Sequence, residues 1–424
     1  MKSLIRTAYI KTLYHKFFIN LKWMFFGALC GVVVGSVSSL FARAISIVTS
    51  FRAAHPYILF GLPLAGVFIV YYYHALGTNS PKGTNLVLDA IHNGQKVPLR
   101  MTPLIIVSTV VTHLFGGSVG REGAALQVGG SLGNALGRLA HFSEMDRRRT
   151  IMCGMSASFS ALFGTPMAAS VMAIEMSTVG IMYYSAFMPC VVAALTAHIV
   201  AGFINPGGEA VMTVTDIVPF TAVTGGYTIL FALVCSLVAV LFCAVLHSSK
   251  HFAQKTIKNP YMRAAVCGVL VVLLTLLVGS QTYNGAGSDI IAACTTNSAF
   301  QIVPYAFLLK MLFTAVSLSG GFQGGEIVPT LFVGTTYGHA IAGIFGFSPM
   351  MGSALGATLV FCGVTNCPIA SILIGFEMFG FNMSSYILLG VAITYLFSGN
   401  YGLYASQKIR YSKYDPERID SFAH

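Results

Sequence analysis

Charge is what this sequence has least of. Of its 424 residues only 9% are Asp, Glu, Lys or Arg, against roughly 25% in soluble domains. With 55% hydrophobic residues and a mean hydropathy of +0.77, that scarcity excludes a soluble globular domain and leaves a polytopic membrane protein. Metal and redox motifs are missing too. The nine cysteines, an odd count, sit mostly inside apolar runs, and the nearest pair, Cys362 and Cys367, has neither metal nor thioredoxin-like spacing. They read as packing thiols. The eleven histidines include no His-Glu-x-x-His, and His113, in an apolar run, reads as hydrogen-bonded structure. There is no P-loop, no dinucleotide fingerprint and no signal peptide with a small-residue cleavage site. No cofactor and no metal are expected.

The net charge of +11 is placed for a bilayer, not for nucleic acid. Lys2, Arg6, Lys11, Lys16 and Lys22 precede the first apolar span; Lys408, Arg410, Lys413 and Arg418 follow the last. Both ends are therefore expected in the cytoplasm, with an even number of full crossings. Arg147-Arg148-Arg149 and the cluster Lys250, Lys255, Lys258 and Arg263 mark further cytoplasmic turns. At about 20 residues per span the length allows about ten to fourteen segments. The expected division is a cytoplasmic segment 1–22, a first transmembrane half 23–204, a connecting loop 205–216, a second half 217–407 and a cytoplasmic tail 408–424. Met24 to Ala42 is the first span, with Trp23 as an interface anchor, and Ile217–Leu246 opens the second half. Gly77 to Asn85 is a turn-rich break with two readings: a solvent loop, or a polar dip toward the bilayer centre that opens a helix at Leu86.

Where charge does enter apolar sequence, it does so among glycines. Gly116 to Gly129 places Arg121 and Glu122 between Gly120 and Gly123, and no other charge occurs from Met101 to Arg138. A charged residue at a helix centre costs ~2.5–3.5 kcal/mol on insertion scales. Glycines leave amides uncovered, and Ala124 onward starts a helix, so the stretch is either an anion site at a helix N-terminus or a structural Arg121–Glu122 pair capping that helix.

The second half echoes the first. Gly320 to Pro329 aligns with Gly116 to Ala125, setting Glu326 against Glu122 at an offset of 204 positions, and Pro166 with Glu175 matches Pro368 with Glu377 at the same nine-residue spacing. Of thirteen acids, the four in apolar context are Glu122, Glu175, Glu326 and Glu377. An internal repeat with glycine-interrupted short hydrophobic segments points to a transporter whose site lies where broken helices meet. Glu122 and Glu326, at helix starts, are the site candidates. Glu175 and Glu377, deep in helices, read as acceptors for amides or hydroxyls of a neighbouring helix, with proton transfer the other reading. Lys310, a cation in an apolar run, either neutralises one of these acids or raises the local anion potential. An intramembrane enzyme would need a second catalytic group at usable spacing, and none occurs.

These residues resemble the CLC family of chloride channels and anion/proton antiporters. Gly120-Arg121-Glu122-Gly123-Ala124 is similar to the family's Gly-Arg-Glu-Gly-Pro segment, Gly83-Thr84-Asn85 to its Gly-Ser-Gly turn, Gly325-Glu326-Ile327-Val328-Pro329 to its Gly-x-Phe-x-Pro segment, and Tyr404 to its pore tyrosine. The match runs in order from about residue 25 to 410. The resemblance implies an all-α polytopic membrane protein with an inverted repeat of transmembrane and re-entrant helices, assembled as a homodimer in the plasma membrane. It implies Glu122 as the gate and proton carrier, and an anion site formed by Gly83, Thr84, Asn85, Gly120, Arg121, Gly123, Gly325, Glu326, Ile327 and Tyr404. The run Gly320 to Glu326 before Pro329, with Ser398 to Tyr404, looks most like the fluoride-exporting branch, which implies a fluoride/proton antiporter; a chloride or broader anion transporter or channel is the alternative on the same fold. The inner proton-transfer glutamate of chloride/proton antiporters falls on Met176, a position at which the fluoride branch also lacks a carboxylate.

Overall fold

The computed structural model of the chain describes residues 2–77, 83–94, 97–206, 212–415 and 417–423, with side chains from Tyr14 onward. Its helices are α1 Lys2–Ala54, α2 Leu62–Ala75, α3 Asn85–Asn93, α4 Met101–Phe115, α5 Glu122–Leu139, α6 Arg147–Phe163, α7 Pro166–Glu175, α8 Phe187–Ile204, α9 Ala222–Thr256, α10 Pro260–Val278, α11 Ser288–Thr296, α12 Ala306–Ser319, α13 Ile327–Ile341, α14 Pro349–Thr365, α15 Pro368–Phe379 and α16 Ser384–Phe397. Among the described residues, six helical stretches are long and apolar enough to cross a bilayer: 14–54, 56–75, 184–204, 222–256, 260–278 and 327–345. Of the others, α5 has 18 residues but is not apolar enough, and the rest, of 17 residues or fewer, reach at most about 26 Å at 1.5 Å per residue, short of a hydrocarbon core of about 30 Å.

The breaks have the same cause in both halves. α6 stops at Gly164, in the left-handed region at φ 70°, and Pro166 opens α7; α14 stops at Asn366, φ 56°, and Pro368 opens α15. A left-handed C-cap followed by a proline that has no N–H to lose ends one helix and starts the next. Packing repeats as well. α5 lies on α6 through Gly129, Gly133 and Gly154, and α13 lies on α14 through Gly334, Gly338, Gly352 and Gly356. A Cβ on Gly154 would come 1.9 Å from the Gly129 carbonyl oxygen, and one on Gly338 2.0 Å from that of Gly352. Backbones that close require small residues, the usual device for joining helices in lipid.

Several expectations are corrected. The first span, Met24–Ala42, lies inside a helix running unbroken from residue 2 to 54, because no proline interrupts it before Pro56. Trp23 is 6% exposed and packs on Phe26 of its own helix and Phe142 of the α5–α6 turn beneath Arg149, so its ring is covered by protein. α9 begins at Ala222, not Ile217, where Thr221 and Thr224 form a capping box. The helical architecture carries one small sheet: β1 Thr178–Val179 pairs in parallel with β2 Lys408–Tyr411, which pairs antiparallel with β3 Arg418–Phe422. Residues 78–82 of the Gly77–Asn85 break and 207–211 of the connecting loop lie outside the described residues. Beyond that break, Asn85 opens the nine-residue α3. All nine cysteines are buried and unpaired.

Candidate anion site

Two glycine loops meet at the centre of the repeat. Gly120 N–H donates to the Gly325 carbonyl and Gly325 N–H to that of Gly120, both at 2.7 Å. α5 starts two residues beyond the first loop contact and α13 two beyond the second, so two helix N-termini point into one region. The approach requires glycine: a Cβ on Gly123 would lie 2.9 Å from Gly325 Cα, 3.2 Å from Thr84 Oγ1 and 3.3 Å from Glu326 Oε2. Thr84, at the start of α3, donates to the Gly123 carbonyl at 3.3 Å, which brings a third helix N-terminus to the same point.

Glu122 is 2% exposed. Its Oε2 accepts from the Arg121 amide at 2.9 Å and its Oε1 lies 3.5 Å from Arg121 Nε. The ion-pair reading of this stretch is thus present in the structure, and the same carboxylate sits so close to the first loop that a Cβ on Gly120 would lie 2.6 Å from it. Ile327 is fully buried. Gln127, unremarked in the sequence, donates to the Gly123 carbonyl at 3.1 Å.

Outer supports hold the first loop. Asn284 Nδ2 donates to the Gly116 carbonyl at 2.8 Å, Gly285 N–H to that of Gly117 at 3.1 Å, and Ser118 N–H to Ser317 Oγ at 2.9 Å. Lys310, fully buried, donates to the carbonyls of Gly285 at 2.7 Å and Tyr283 at 3.2 Å, and Arg52 to that of His113 at 2.6 Å. Lys310 therefore neutralises none of the four acids; its partners are peptide dipoles beside the loop. His113 donates from Nδ1 to the Thr109 carbonyl at 2.9 Å.

Glu175 and Glu377 behave as amide acceptors. The Glu175 carboxylate accepts from the amides of Ile369 (3.1 Å) and Ala370 (2.8 Å) at the start of α15; that of Glu377 accepts from Met167 (2.9 Å) and Ala168 (2.8 Å) at the start of α7.

A cavity of about 540 Å³ opens from the paired loops to one face of the molecule. Gly83, Thr84, Asn85, Glu326 and Tyr404 line its inner end, and His247, Lys250, His251 and Arg263 its mouth, with Asp89 the other acid on its wall. Tyr404 is 1% exposed; its hydroxyl lies beside Thr84 and makes no protein hydrogen bond of ordinary geometry. Asn85 Oδ1 is taken by the Ser406 amide at 2.9 Å. Of the expected site residues, Gly83, Thr84, Asn85, Glu326 and Tyr404 line the cavity, whereas Gly120, Arg121, Glu122, Gly123, Gly325 and Ile327 belong to the paired loops and the helix starts beside it. The basic mouth could have been flagged from Lys250 and Arg263, which the charge pattern instead placed in a surface turn.

Such a convergence of broken helices at a repeat interface defines an integral membrane transporter. Residues 64–399 match the family model of the voltage gated chloride channel. The chain is 35% identical over 408 residues to a chloride/fluoride channel protein of Pseudomonas syringae pv. tomato, covering 94% of this chain and 89% of that one. It is 25% identical to an H(+)/Cl(-) exchange transporter of Vibrio vulnificus, over 88% of this chain and 85% of the other. The crystal structure of a CLC-type fluoride/proton antiporter superposes with a TM-score of 0.88 at 32% identity, covering 92% of this chain and 98% of that one. This chain belongs to the voltage-gated chloride channel (CLC) family, and within it is most like the fluoride-exporting branch.

Proposed function

We propose that this protein exports fluoride from the cytoplasm in exchange for protons, as a homodimer in the plasma membrane with both termini cytoplasmic. The observation that carries the reading is the pairing of Gly120 with Gly325, which sets the carboxylates of Glu122 and Glu326 at adjoining helix starts, beside the Thr84 and Tyr404 hydroxyls. Fluoride is small, strongly hydrated and a strong acceptor, so a selective site must replace its water with close donors. The donors offered are the Tyr404 hydroxyl, the amides of Gly123 and Ile327, and the Thr84 hydroxyl once it turns from its long 3.3 Å bond to the Gly123 carbonyl; Gly83, Asn85, the Arg121 amide that Glu122 now holds and Gly120 and Gly325, whose own N–H groups pair the loops, surround them.

Glu122 supplies the exchange. Ionised, its carboxylate holds the anion's place at the N-terminus of α5, where a positive helix end favours negative charge. Protonated, it leaves that place and can donate to the ion. Alternation between the two states moves one proton against the anion. Similarity to the chloride/fluoride channel protein and to the fluoride/proton antiporter supports fluoride as the cargo, and the basic cavity mouth supports anion entry from the face that carries Lys250 and Arg263.

The test is efflux from reconstituted vesicles loaded with fluoride, chloride or nitrate, with external pH recorded alongside. Fluoride efflux coupled to proton uptake is expected. Chloride leaving as fast as fluoride would assign the protein to the broader anion transporters of the same fold, and fluoride efflux without proton uptake would make it a channel.

A further inference from the structure

The segment that carries Tyr404, residues 401–407, is neither helix nor strand, yet it delivers a buried aromatic ring to the end of the cavity. Its polar tip takes no ordinary hydrogen bond from the protein, so the ring's place is set by backbone held from elsewhere. Three side chains do that holding. Asn366, the left-handed cap of α14, donates from Nδ2 to the Tyr401 carbonyl at 2.9 Å and to Gln407 Oε1 at 3.1 Å. Gln407, fully buried, donates from Nε2 to the carbonyls of Met176 at 2.9 Å and Thr365 at 2.8 Å. Lys413 reaches back between β2 and β3 and gives its three N–H groups to Asn366 Oδ1 (2.6 Å), the Tyr395 carbonyl (3.0 Å) and Ser398 Oγ (3.3 Å). Burial lowers its ammonium to about 8, still protonated at neutral pH, so all three donors are present.

No polar atom of the Asn366 or Gln407 side chain is left over. A fully satisfied buried network is costly to break at any one member, since the remaining partners are then stranded. Its two contacts with the segment fall on either side of Tyr404, and the backbone between them is tied further by Leu403 N–H to the Val364 carbonyl at 2.9 Å and Gln407 N–H to that of Tyr404 at 2.9 Å. The Ala423 amide, just past β3, donates to the Gln407 carbonyl at 3.0 Å.

We propose that Lys413, Asn366 and Gln407 are positioning residues that fix the Tyr404 hydroxyl at the anion path, so that the tail beyond α16 takes part in ion selection. This rests on the reading of Tyr404 as an anion donor. Two measurements keep the two ideas apart. In the reconstituted full-length protein, Lys413→Met should lower the fluoride-over-chloride rate ratio about five- to tenfold, in the same direction as the loss of about tenfold or more expected of Tyr404→Phe, and the double variant should be no worse than Tyr404→Phe alone; residues acting through one contact are non-additive. Hydrogen exchange should then show the amides of 401–407 opening at least tenfold faster in Lys413→Met, with those of α5 and α13 unchanged. Asn366→Gly, which keeps the left-handed backbone and deletes only the amide side chain, should repeat both results should Lys413→Met fold poorly. Unchanged exchange at 401–407, or additive losses, overturns the positioning role. Faster exchange with no effect of Tyr404→Phe on the ratio would instead overturn the role of Tyr404 and, with it, that of the three residues in selection.

Discussion

Gly325→Ala is the substitution for which the structure gives the sharpest number. The new methyl group would lie 2.4 Å from Gly123 N, 3.1 Å from Gly123 Cα and 3.2 Å from Glu122 N. All three are backbone atoms of a helix start, so no rotamer change relieves the clash; the two loops must part. Parting lengthens both 2.7 Å bonds between Gly120 and Gly325, each worth about 1 kcal/mol net, and the crowding adds about 1–3 kcal/mol. The sum, about 3–5 kcal/mol, falls on the point where Glu122 and Glu326 are set. Should even half of it oppose the transport cycle, the rate drops more than tenfold, since 1.36 kcal/mol is a factor of ten. The assay is initial fluoride efflux from vesicles, read with a fluoride electrode, beside the thermal midpoint in detergent. Gly226→Ala is the control: that glycine is exposed on α9 with open space around its Cβ, so efflux should not change and the helix should gain up to ~1 kcal/mol. Efflux of Gly325→Ala within twofold of the unmodified protein would refute the claim that close backbone approach builds the site.

Glu122→Gln should abolish proton uptake driven by an outward fluoride gradient while leaving a folded protein; persistence of the unmodified proton-to-fluoride ratio would remove Glu122 from the gate. Thr84→Val and Tyr404→Phe each delete one donor to a charged ligand, worth roughly 1.5–3 kcal/mol, and should lower fluoride transport rate or preference about tenfold or more in competitive efflux assays. Glu377→Gln and Glu175→Gln should each cost stability, about 1–3 kcal/mol for a weakened charged cap, seen as a lower thermal midpoint with the proton-to-anion ratio intact.

Much of this architecture was legible because the sequence repeats itself. The matched pairs Glu122 with Glu326 and Pro166 with Pro368 mark helix starts in both halves, and a glycine or a left-handed asparagine before a proline has few other uses. The amide-accepting role of Glu175 and Glu377 followed from carboxylates deep in apolar helices, where only bare N–H groups can satisfy them. Helix length was less legible: nothing in residues 2–22 is incompatible with helix, yet charge there suggested a separate segment. Lys310 shows a different limit. Its burial was evident, but its partners are carbonyls of Tyr283 and Gly285, and a backbone acceptor leaves no mark in a sequence. The clasp around Tyr404 was invisible for the same reason. Asn366, Gln407 and Lys413 share no period and meet only because a strand pair folds back under α14 and α16.

The crossed caps of α7 and α15 set an order on the making of this chain. The amides of Met167 and Ala168 wait for a carboxylate that comes about 210 residues later. At ~5–20 residues per second, α7 spends roughly 10–40 s with its first amides open after it leaves the ribosome. The wait is one-sided, because α15 finds its own acceptor, Glu175, already made. Completion of the second half therefore closes both helix starts nearly together. A nascent chain halted before Glu377 holds the helices of its first half but lacks the carboxylate that accepts from the first amides of α7.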